Sequence, residues 1–137
     1  MSCASESCEV IAILAEDVRA ELGGKHTIIG AFSGDILLPA FPASFKIAAY
    51  LVLRFKDKGD HVVDLEVKLD DAPLGTSTTG LDTREALTVV LVIPMGIVTV
   101  DHPQTFSIAG VIDGGEKRMI ISTSIALAPL GTPFPPS

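Results

Sequence analysis

The chain has 137 residues, the size of one ordinary domain, with 47% hydrophobic and 20% charged residues, a balance that excludes a disordered or fibrous chain. A formal charge of −7, with ten scattered basic residues, excludes a typical nucleic-acid binder and electrostatic attachment to an anionic membrane; both need clustered Lys and Arg. Only 5% of the residues are aromatic and Trp is absent, so the core must be built from Val, Ile, Leu and Ala, of which the β-branched ones favour strands.

The first residues, MSCASESCEVIAILAED, contain no basic leader, and their longest apolar run, Val10 to Ala15, is too short for a signal core. No segment approaches the roughly 18 apolar residues of a membrane-spanning helix. Cys3 and Cys8 would close only a small loop, and no second Cys or His pair follows at zinc spacing. Both therefore read as thiols of a reducing compartment, and the expected location is the cytoplasm.

Residues 8–15, CEVIAILA, read as a first strand. Residues 15–24 fit two descriptions. Val18 and Leu22 have helical spacing closed by Gly23-Gly24, and the alternation of Val18, Ala20 and Leu22 suits a strand equally well. Residues 25–32 form a second strand. Residues 33–45 form a loop with a short extended piece at 36–38, because Pro39 and Pro42 forbid a central strand or a helix. A long strand over 46–55 and a turn at 57–60 lead into 61–69, where Val63, Leu65, Val67 and Leu69 alternate with Asp64, Glu66 and Lys68. That pattern is a strand with one face in a core and the other in water.

The polar stretch 70–85 reads as a long loop. Residues 86–94, ALTVVLVIP, are nearly all apolar and read as a strand buried on both faces, bent at Pro94 and Gly96 before 95–100. Strands at 104–112 and 117–128 flank a DGGE hairpin turn. The segment 129–137 holds four prolines and cannot enter a sheet interior. Seven or eight strands, at most one short helix and no βαβ pattern predict an all-β, two-sheet antiparallel β-sandwich over residues 1–128, followed by the proline-rich tail 129–137.

Glu16 to Pro42, EDVRAELGGKHTIIGAFSGDILLPAFP, resembles the leading signature of a family of uncharacterised small bacterial and phage-associated β proteins. The matching residues are Asp17, Val18, Arg19, Glu21, Gly24, Lys25, Gly30, Phe32, Ile36, Pro39, Phe41 and Pro42. The resemblance covers about a fifth of the chain and implies a fold type but no assigned activity.

No nucleophile elbow, phosphate-binding loop, dinucleotide fingerprint or zinc-protease motif is present. His61 with Asp60 and Asp64, and His102 with Asp101, have the residue types of metal ligands or an acid–base pair, though solvated His and Asp are common at strand ends. If successive loops fall at opposite ends of a sandwich, Asp35, Asp70, Asp71, Asp82 and Asp101 gather at one end as candidate calcium ligands. Glu16, Asp17, Asp57, Asp60, Asp113 and Glu116 gather at the other. Arg19, among Glu16, Asp17 and Glu21, reads as a local ion pair or a binding residue. Phe41, held between Pro39 and Pro42, reads as a plug in the core or as an exposed binding anchor.

These features, with a mean hydropathy of +0.48, lead to the expectation of a non-enzymatic module without a cofactor. It would self-associate or bind a protein partner, but not nucleic acid or membrane. The alternative is a metal-dependent binding protein or hydrolase that uses the loop Asp and His residues.

Overall fold

A computed structural model describes residues 8–129. Cys3 and the proline-rich segment beyond Pro129 lie outside the described residues. Nine strands run β1 (Cys8–Ala20), β2 (His26–Ala31), β3 (Ile36–Leu38), β4 (Ala43–Phe55), β5 (Asp60–Leu69), β6 (Ala72–Asp82), β7 (Thr88–Val100), β8 (Gln104–Ile112) and β9 (Arg118–Leu127). They form two sheets, one in the order β2-β1-β4-β7 (sheet A), the other β3-β9-β8-β5-β6 (sheet B). The protein is all-β with two sheets, and they do not close into a barrel. No helix is present among the described residues.

Local chemistry explains most of the path. β5 keeps its sequence alternation, with Val63, Leu65, Val67 and Leu69 buried. On β4 the inward residues are Ile47, Ala49, Leu51, Leu53 and Phe55. With Phe106, Ile108 and Ile112 of β8 and Leu14 of β1 they make one apolar core. The β8–β9 hairpin turns through Asp113 and Gly114, both at positive φ, as a tight hairpin requires.

Several expectations need correction. The ambiguous segment 15–24 is strand as far as Ala20, because Val18, Arg19 and Ala20 pair with Ile28, Thr27 and His26; the chain then turns through Gly23 and Gly24 at positive φ. The loop expected over 70–85 contains β6, an eleven-residue strand reached from β5 by a two-residue turn at Asp70-Asp71. Its polarity is that of a sheet edge, and Thr76, Thr78 and Thr79 are good strand formers. This strand and the short β3 bring the count to nine. β3 pairs in parallel with β9, the one parallel pairing among the described strands. The irregularity expected at Pro94 and Gly96 is present, and the chain continues extended through it as expected. A register shift at Ile47/Ala48 absorbs the irregularity, so 88–100 is one strand.

The segment expected to be buried on both faces is the edge of sheet A, where β7 has β4 as its only partner among the described strands. Its inward residues pack on the core, while Val90 and Val92 on the other face are partly exposed and Pro94 is exposed.

Phe106 is wholly buried, whereas Leu22 is 95% exposed. Phe106→Ala should therefore lower unfolding free energy by about 3–5 kcal/mol in urea titrations, and Leu22→Ala should change it by less than about 0.5 kcal/mol.

Candidate functional site

The polar groups at one end of the sandwich form a structural lock. His61 opens β5 at 8% exposure, stacked on Phe55 with ring centroids 4.1 Å apart. Its Nδ1 lies 2.6 Å from the Asp113 carboxylate and its Nε2 lies 2.8 Å from the Asp57 carbonyl. Both neighbours accept hydrogen bonds, so the doubly protonated ring satisfies both. Burial works against that charge, but the hydrogen bonds and fields of Asp113 and Asp57 prevail and raise the His61 pKa above its ordinary value. Asp113 also accepts from the Val62 N–H at 2.8 Å. Thr83 is fully buried; its hydroxyl accepts from the Gly59 N–H at 3.1 Å and donates toward the Asp57 and Gly59 carbonyls. Arg84 binds Asp60 through two bonds and also reaches Asp82 at 3.1 Å. That pairing holds the Asp60 carboxyl below the usual carboxylate range. The β4–β5 turn, the β6–β7 connection and the β8–β9 turn are thereby tied together, and no ring nitrogen of His61 is left for a substrate proton.

The sequence-derived candidates fall into separate places. Asp60 and Asp64, expected beside His61, bond instead to Arg84 and Thr78. His102 bonds to its neighbour Asp101 on the surface. Asp70 receives the Thr105 N–H at 2.8 Å and the Gln104 amide at 3.3 Å, so it closes a turn. Asp82 is aligned with Asp60 at the far end of β6 from Asp70 and Asp71, because the stretch between them is a strand. The expected gathering of Asp35, Asp70, Asp71, Asp82 and Asp101 at one end therefore does not occur. Among the described residues, no group of three or more His, Cys, Asp or Glu is placed to hold a metal ion. Arg19 pairs with Asp17 at 3.0 Å on the surface and keeps that carboxyl below its ordinary pKa. Phe41 packs against the core, while Pro39 and Pro42 are exposed beside it.

The remaining unusual surface is the outer face of sheet A, and the strand registers define it. Ile11 of β1, Val52 of β4 and Val90 of β7 form one row across the three strands, and Ile13, Tyr50 and Val92 form the next. A third row, Ala15, Ala48 and Pro94, is small and apolar, with Ala15 and Ala48 buried and Pro94 exposed. Tyr50, the chain's one tyrosine, sits in the middle strand, with the His26 ring of β2 edge-on at 5.3 Å. Polar rows bound the patch: Glu9, Arg54 and Thr88 at one end; Lys46 and then the bonded pair Ser44 and Thr99 at the other. Ile11 is 61% exposed, and Ile97, which is aligned with Lys46, is 70% exposed.

The outer face of sheet B is more polar, with Val62 and Met119 exposed among its charged and hydroxyl side chains. Asp64, Glu66 and Lys68 of β5 stand beside Thr76 and Thr78 of β6 and Ser107 of β8. Glu66 pairs with Lys117 at 2.7 Å and Lys68 at 3.4 Å, and Thr78 donates to Asp64. An antiparallel sheet facing water normally shows such a polar face. A groove of about 480 Å³ opens between the free edges of β6 and β7, lined in part by Leu69, Leu74, Ile93 and Met95.

Sequence reasoning missed this face as a site, although its signal was present: β4 and β7 are apolar at both odd and even positions, too much for a strand with one buried side.

Two comparisons bear on this arrangement. The sequence model of DUF6941, described as a family of unknown function, matches residues 10–121, most of the chain and nearly all of both sheets. No curated protein matches the chain.

The His61 lock has a pH signature. Its pKa is raised on folding, so its contribution to stability is complete below the unfolded value of 6.5 and is lost as pH rises through the folded value. Urea midpoints measured from about pH 5.5 to pH 8.5 should fall with rising pH, and Asp113→Asn should flatten that slope. A midpoint that rises over this range would contradict the assignment.

Proposed function

We propose, on the premise that the chain belongs to the DUF6941 family of unknown function, that the protein is a non-enzymatic binding module. In this reading, sheet A docks a protein partner through its outer face. The single observation that supports this most is the contrast between the two outer faces of one sandwich: ion pairs and threonines on sheet B, and the rows Ile11–Val52–Val90 and Ile13–Tyr50–Val92 on sheet A. Contiguous exposed apolar surface rimmed by polar residues is the signature of an interaction site. Its layout, an apolar centre without acids and a polar rim at Glu9, Arg54, Lys46 and Ser44, follows interface anatomy. Tyr50, central and aromatic, has the chemistry of an anchor.

The lock around His61 supports the non-enzymatic half of the proposal, since both ring nitrogens are engaged and the nearby Thr83 hydroxyl is bonded to backbone. The bacterial and phage-associated character implied by the 16–42 resemblance fits an assembly role and belongs to the same proposal.

A photocrosslinking amino acid placed at Val52 tests the reading in cells that make the protein. The same probe at Asp64 on sheet B is the control. A discrete adduct from position 52 and none from position 64 is the expected result. Equal adducts from both positions, or none from position 52, would remove the support for a docking face.

A further inference from the structure

We infer that the occupant of the outer face of sheet A is a second copy of this chain, packed sheet on sheet across a two-fold axis. The inference rests on the docking-face reading above and adds the partner.

Three observations support a second copy. The first is size. Strands β1, β4 and β7, spaced about 4.8 Å apart and rising about 3.4 Å per residue, span roughly 300 Å² in projection between the Ala48 and Arg54 rows, the rows that meet in the arrangement below. Two copies would bury on the order of 600 Å² in projection, and more over a pleated surface with the flanking rows, the small end of specific contacts.

The second is charge. The chain carries −7, so most approaches of one copy to another are repulsive. On the outward positions of β1, β4 and β7 the acids at the bounded patch are Glu9, aligned with Arg54, and Asp17, which lies by Arg19 and in the field of Lys46. This is the surface on which two copies can meet without stacking carboxylates.

The third is self-complementarity. An isologous contact sets one patch against itself. An axis along the strands would place Arg54 over Arg54 and Lys46 over Lys46. An axis across the strands, between the two apolar rows, avoids both clashes. It sets Ile11 of one copy opposite Ile13 of the other and Val52 opposite Tyr50, and brings Arg54 to the row of the buried Ala48. Large and small side chains then interdigitate, as in the packing of two sheets about 10 Å apart.

Sedimentation equilibrium on the full chain is the test, with Ile11→Glu as the disrupting variant, Val52→Glu as a second, and Val62→Glu on sheet B as control. Ile11 is 61% exposed, so its replacement leaves folding intact, which circular dichroism checks. The wild type should be a dimer at micromolar concentration. Ile11→Glu should weaken the dimer at least about 100-fold, since each dimer would bury two uncompensated carboxylates. Val62→Glu should leave it unchanged. A wild type that stays monomeric to about 100 μM overturns the second-copy inference; if Val52 still crosslinks a different protein, the docking face itself survives. A dimer indifferent to both sheet A variants and broken by Val62→Glu overturns both.

Discussion

Side chains alternate across a strand, so a strand that is apolar at every position needs cover on two sides. A two-sheet sandwich provides one side. β4 and β7 place Leu51, Leu53, Val98 and Val100 in the core and still carry Tyr50, Val52, Val90 and Val92 outward. On sheet B the same constraint is satisfied within the chain, because β5 alternates and its outward Asp64, Glu66 and Lys68 meet water and each other's partners. The two outer faces of one sandwich thus differ, sheet A being the more apolar along its strands.

The polar cluster at the end of the sandwich serves that face indirectly. His61 is joined to Asp113 across 52 residues of sequence, and Thr83 is joined to Asp57 across 26. These bonds pin the turn that follows β4, the central strand of the apolar patch. A flat, rigid strand presents a row of side chains at low entropic cost, which is the benefit of preorganisation in association. The candidate metal ligands are absorbed into the same architecture: Asp70 closes a turn, Asp82 and Asp60 share Arg84, and Asp101 holds His102.

Much of the fold was legible because local rules determined it. The alternation of β5 announced both its faces, and DGGE announced its hairpin. β6 was illegible because its strand character lies in β-branched threonines at a solvent-washed edge, where polarity resembles that of a loop. The His61–Asp113 pair could not be read from spacing at all, since only the stacking of β5 beside β8 brings the two together. The segment 86–94 is the most instructive. Its composition led to an expectation of burial on two sides, and the fold buries only one: the other side lies on the outer face of sheet A, partly exposed. Where a local signal and the tertiary fold of one chain disagree, the disagreement points to an interaction.

The central claim is that the outer face of sheet A is covered when the protein is assembled. Methyl relaxation in the presence of a small soluble paramagnetic agent measures this directly. At assembling concentrations the methyls of Ile11, Ile13, Val52, Val90 and Val92 should be shielded from the agent, and dilution should expose them. Val62 on sheet B, 45% exposed, should relax equally fast at both concentrations. Sheet A methyls that stay as accessible as Val62 at every concentration, alone or with the crosslinked partner added, would contradict the account.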